Sequence, residues 1–238
     1  MKFEPNFNFL FKSTPADRRT AIEKVIASSS PRRAFFFMII LSAIIATLGL
    51  MINNVAVVIG AMLVAPILSP LLSLALGITM FEYKLINRSL LVIGKILILI
   101  FGFSAMISLA VPFSGLDSSL IANLEPSLPY LYIALAAGMA ASLAIVKSDL
   151  AEFLPGTIIA VALLPPLCSI AIGLRMLNWD IMINALGLFL VNFIGIVLAA
   201  VVVFSLMGFS LQRKTADKAV EEEKKVLNHD KDKKEFEQ

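Results

Sequence analysis

Apolar side chains in this chain gather into long unbroken runs, separated by short polar intervals, instead of recurring every three or four positions as on a helix with one buried face. A run near twenty residues matches about 30 Å of hydrocarbon at about 1.5 Å per residue, so each run predicts a membrane-spanning helix. The runs place span 1 at about 34–52, span 2 at 55–79, span 3 at 89–111, span 4 at 130–146, span 5 at 153–174 and span 6 at 181–208. The runs do not alternate between apolar and polar side chains, which excludes an outer-membrane barrel. The fold class is therefore all-α, a polytopic transmembrane helical bundle of about six spans.

The intervals carry the punctuation. Asn53-Asn54 forms a polar turn pair between spans 1 and 2. Thr14-Pro15-Ala16-Asp17 reads as the start of an amphipathic helix to about Ser28. The chain divides into a basic N-terminal arm (1–33), a first membrane unit (34–111), a connection without Lys or Arg (112–129), a second membrane unit (130–208) and a charged tail (209–238). Lys and Arg in the arm, in 81–88, in 147–152 and in the tail place those segments in the cytoplasm, with both termini inside and the protein multi-pass in the cell (inner) membrane; Arg175 is the exception. The arm's basic residues suit anionic headgroups, and it predicts a surface anchor with no cleaved signal peptide.

Composition sharpens this picture. Of 238 residues, 59% are hydrophobic and 16% charged, more apolar surface than one soluble core can bury. The single cysteine, Cys168, offers no disulfide framework, and the single histidine, His229, lies in the tail. No His-based triad, His-rich metal site or phosphate-cradling loop is therefore available, and the sequence predicts no enzyme, no metal, no cofactor and no nucleic-acid partner.

GAMLVAPILSPLLSLALGI (60–78) overlays GTIIAVALLPPLCSIAIGL (156–174) at an offset of 96 (156 − 60), with Gly60/Gly156, Pro70/Pro166, Ser73/Ser169 and Gly77/Gly173 identical. Coincident Pro, Ser and Gly are far less forgiving than matched Leu, so the chain reads as two three-span repeats. Three spans per unit is an odd number, which makes the copies inverted, with the Pro-broken helices 2 and 5 facing each other. One extra residue in the second half would set Asn87 on Asn184 and Lys95 on Asn192.

The same segments, NNVAVVIGAMLVAPILSPLLSLALG and GTIIAVALLPPLCSIAIG, resemble the prokaryotic membrane family catalogued as DUF389, over roughly residues 30–210. The resemblance implies a multi-span integral membrane protein and carries over no substrate, reaction or catalytic residue. Many relatives have a larger soluble N-terminal region where this chain has a short arm.

Proline inside a span removes a backbone donor, and unpaired backbone persists in lipid only when it faces protein, water or a ligand. Pro66, Ser69, Pro70, Ser73, Pro165, Pro166 and Ser169 are therefore the expected substrate or ion site. Lys95, Asp149 and Glu152 are the ionisable candidates for coupling. Together they point to a secondary transporter or channel-like protein for a small solute or ion. The alternative is a non-transporting scaffold or sensor whose arm and tail recruit a cytoplasmic partner. The small residues of span 4, Ala134, Ala137, Gly138, Ala141 and Ser142, suit homo-oligomer contacts under either reading.

Overall fold

The computed structural model describes residues 13–112, 124–147, 149–150 and 163–236. These residues form helices α1 (Pro15–Ser28), α2 (Arg33–Met51), α3 (Val55–Val64), α4 (Leu68–Thr79), α5 (Tyr83–Ala110), α6 (Leu128–Val146), α7 (Leu164–Arg175), α8 (Trp179–Leu206) and α9 (Arg213–Phe236), with a 3-10 turn at Phe209–Leu211. No strand occurs among them. Helices α2, α5, α6 and α8 are long and apolar enough to cross a membrane, and α3 with α4, bent by 53° at their break, is apolar enough to count as a fifth if the pair is one span. The first part of predicted span 5 lies outside the described residues, as does Glu152; its second part is α7.

Three corners share one local design. At each, a helix ends in a left-handed residue that is not glycine: Asn53 (φ 55°), Phe81 (φ 53°) and Leu177 (φ 52°). The next amide closes back onto a glycine carbonyl, Asn54 to Gly49 at 2.8 Å, Glu82 to Gly77 at 2.9 Å and Asn178 to Gly173 at 3.0 Å, the bond of a Schellman cap. That same residue then caps the following helix, its side chain accepting from the amides of Val57, Lys84 and Ile181 respectively. The glycines are needed because the next helix crosses there. A Cβ on any of them would lie 2.9 Å from Val58, Ile86 or Met182.

The two halves correspond closely in length and spacing. Helices α4 and α7 have 12 residues each and α5 and α8 have 28 each, and both pairs hold the offset of 96 (164 − 68 and 179 − 83). The extra residue expected in the second half is therefore absent: Asn87 corresponds to Ile183 and Lys95 to Val191. Span 3 also starts earlier than expected. The polar interval becomes the corner and first turns of α5, because Glu82 caps a helix that runs through Lys84, Asn87 and Arg88.

Packing exchanges partners between the halves. The closest pairing is α6 on α8, and α4 packs on α5 and α8 while α7 packs on α8, α5 and α2. Each short helix thus rests on the long helix of its own half and on that of the other, where the sequence had the two short helices facing each other. The small face of α6 is consumed internally: a Cβ on Gly138 would meet the Ile196 carbonyl at 2.7 Å, and one on Gly195 would meet Ala134 at 2.8 Å. It is not free for homo-oligomer contacts, because α8 already uses the close approach that small residues permit.

Both terminal helices cover one end of the bundle, here termed the arm end. Thr14 and Asp17 close a capping box at the start of α1, and hydrogen bonds from Thr14 hold the Asp17 carboxyl below its usual range. The apolar face of α1 (Ala21, Ile22, Val25, Ile26) is buried against the chain itself, where a membrane anchor would leave it open to headgroups. Arg18 donates to the carbonyls of Met207 and Gly208, tying α1 to the end of α8. The charged tail is helical and lies on α1 and α5. Its Glu223 forms a buried ion pair with Arg88 at 2.5 Å. At the opposite end Arg175 donates to the carbonyls of Ser108 and Val111, so this exception to the charge pattern caps the last turn of α5.

Candidate functional site at the half-helices

The break between α3 and α4 follows from Pro66. Ala65 turns extended (ψ 114°), and Pro66 has no N–H to give the Met62 carbonyl. The Ile67 amide turns to Ala65 at 2.9 Å, and among the described residues no backbone N–H reaches the carbonyls of Met62, Leu63 or Val64. Ten residues of α3 rise about 15 Å, half the hydrocarbon thickness, which is the depth these acceptors would have in a bilayer entered at Asn54. Pro70 plays a different part from Pro66. It lies in the first turn of α4, where a missing N–H costs nothing, and Pro165 and Pro166 hold the matching positions of α7.

From these starts the short helices run to opposite ends. Helix α4 finishes at Thr79, beside α1 and the arm end, whereas α7 finishes at Arg175 on the far end of α5. Each is about 18 Å long, somewhat more than half the thickness of a bilayer's hydrocarbon.

The hydroxyls differ between the halves. Ser69 and Pro66 are partly exposed, and Ser73 is buried and bonded to Ser89 at 2.9 Å. The equivalent of Ser89 is Ala185, and the fully buried Ser169 hydroxyl has no hydrogen-bond partner among the described residues. An orphaned buried hydroxyl costs about 1–3 kcal/mol, so its retention calls for a ligand, a water or a conformational change. Sequence reading missed a second cluster: Thr47 bonds Ser104 at 2.9 Å and the Ala43 carbonyl at 2.7 Å, and the Cys168 sulfur lies 4.0 Å from that carbonyl. The signal was present as isolated hydroxyls inside apolar runs.

The coupling candidates do not join this site. Lys95 is exposed on the outer face of α5, Asp149 is exposed just beyond α6 and Glu152 lies outside the described residues. Asn53 and Asn54 serve the first corner. A separate cleft of about 270 Å³ opens between α1 and α9, lined by Arg19, Glu23, Thr215, Lys218, Ala219 and Glu222. Among the described residues no group of His, Cys, Asp and Glu is placed to hold a metal ion.

Comparisons with known proteins fit this architecture. The family model described as "Domain of unknown function (DUF389)" matches residues 62–198, from the last turn of α3 into α8. The chain is 36% identical over 176 residues to an uncharacterized protein of Methanocaldococcus jannaschii, covering 74% of this chain and 55% of that relative. It thus spans about half the length of the curated relative it matches. No solved structure matches the chain. The break at Ala65–Ile67 and the corners at Phe81 and Leu177 lie within the matched region, and the chain belongs to the DUF389 family.

Proposed function

We propose that the chain is a multi-pass inner-membrane protein with its arm end in the cytoplasm, and that it moves a small solute or ion through the broken segments of two inverted repeats. The observation that carries this reading is the break at Ala65–Ile67, which leaves the carbonyls of Met62, Leu63 and Val64 without backbone donors near midplane. Such groups endure in hydrocarbon only when they face a cavity or a ligand. Support for the inversion comes from equal element lengths, the shared offset and the opposed directions of α4 and α7.

The chemistry of the break favours a cation or a donor-rich solute. Pro66, Pro70, Pro165 and Pro166 carry no N–H, so the starts of α4 and α7 offer few donors. The end of α3 offers three acceptors and the negative pole of its dipole. Carbonyl and hydroxyl oxygens without formal charge suit a monovalent ion or a protonated amine better than a divalent ion.

The test is a flux panel in proteoliposomes covering alkali cations and small protonated amines, run with and without a proton gradient. Saturable uptake of one member is expected, falling at least tenfold in Pro66→Ala, which restores a donor for the Met62 carbonyl. A panel with no saturable flux, or flux indifferent to Pro66→Ala, rejects the reading. The cleft between α1 and α9 favours a second reading, a scaffold or sensor that docks a cytoplasmic partner there. That reading predicts no flux at all and partner binding lost on Lys218→Glu.

A further inference from the structure

Helix α5 carries one exposed stripe along its whole length: Lys84, Asn87, Leu91, Lys95, Ile98, Gly102, Met106 and Leu109, spaced every three or four residues. Only 28% of its apolar window is buried, the least among the four long candidate spans, so this face is the chain's broadest contact with lipid. Lys95 interrupts it. It stands seven residues beyond Arg88, about 10 Å deeper than the Arg88–Glu223 pair that marks the arm end. Lys84, nearer the arm end, already faces Asp217 at 3.5 Å, whereas Lys95 has no ion-pair partner among the described residues. Beside Lys95 the helix surface is uncovered, since a Cβ on Gly94 or Gly102 would meet open space within 4 Å.

We propose that Lys95 and the uncovered apolar face beyond it bind one anionic phospholipid of the arm-end leaflet, its phosphate on the ammonium and an acyl chain along Ile98 and Gly102. An ammonium facing acyl chains must reach back toward headgroups, and its flexible stem points it to the phosphate layer. Anionic lipids supply the matching charge. A second copy fits this face poorly, because a two-fold contact through the stripe would bring Lys95 toward its own counterpart. The inference rests on α5 spanning the bilayer and is independent of what the half-helices carry.

The test uses the full chain in detergent, titrated with phosphatidylglycerol or phosphatidylcholine and followed by native mass spectrometry and thermal unfolding. Phosphatidylglycerol is expected to remain bound and to raise the melting temperature saturably, while phosphatidylcholine does neither. Lys95→Met weakens retention at least tenfold, Lys95→Arg preserves it, and Gly102→Leu weakens it by displacing the acyl chain from the flat face that glycine leaves. Equal phosphatidylglycerol retention by wild type, Lys95→Met and Gly102→Leu overturns the proposal, as does efficient Ile98→Cys cross-linking between two copies in membranes. Neither result touches the flux reading, which fails only on its own assays.

Discussion

Ser73 and Ser169 occupy equivalent positions, yet only Ser73 has a partner, in Ser89. Ser73→Ala leaves the Ser89 hydroxyl buried and unpaired, and thermal unfolding is expected to show a loss of about 1–3 kcal/mol. Ser169→Ala removes a hydroxyl that nothing satisfies, so it is expected to be neutral or stabilising. Ala185→Ser rebuilds the missing pair and is expected to add about 1 kcal/mol. If Ser169→Ala destabilises as much as Ser73→Ala, the hydroxyl has a partner in the resting protein and is not held open for a ligand. The Arg88–Glu223 pair obeys a related rule. Arg88→Met strands a buried carboxylate and should cost about 3–5 kcal/mol, most of it recovered when Glu223→Met is added. Neither relation was legible in the sequence, because each depends on which residues face one another across helices far apart in the chain.

Element identities were largely legible, since a long apolar run and a capping signature act locally. Spans 1, 4 and 6 fall within about two residues of α2, α6 and α8, and Thr14 starts α1 as its capping box requires. Pro66 was read correctly as a break, whereas Pro70, Pro165 and Pro166 were read as disruptions and are first-turn residues. Proline restricts the chain in both cases, and only its distance from the new helix start decides between them. The corner at Asn53-Asn54 was legible as a polar turn pair, whereas the other two were missed because Phe81 and Leu177 are poor left-handed formers, recruited by the crossing of the next helix over Gly77 and Gly173. The packing argument makes a paired prediction. Gly138→Val drives a side chain into the α8 backbone and is expected to cost about 1–3 kcal/mol or prevent folding, while Gly60→Val on open surface leaves the melting temperature nearly unchanged. Similar losses at both sites would contradict the close approach of α6 and α8.

At the scale of the molecule, the correspondence of α4 with α7 and of α5 with α8 was legible as an offset of 96, but the exchange of partners was not. Sequence symmetry fixes which segments correspond without fixing which of them touch. The result is a bundle in which two short helices leave toward opposite ends, each held between the long helices of both halves. Its central claim is that the irregular backbone at those starts faces water or a ligand and is shielded from acyl chains. The most direct measurement is thiol labelling of Ser69→Cys and Ser169→Cys in membranes, on a Cys168→Ser background, with a membrane-impermeant reagent and Ile98→Cys as the lipid-facing control. The partly exposed Ser69→Cys is expected to react while the control does not, the fully buried Ser169→Cys reacting only when the site opens, and blank labelling at Ser69→Cys would contradict the account.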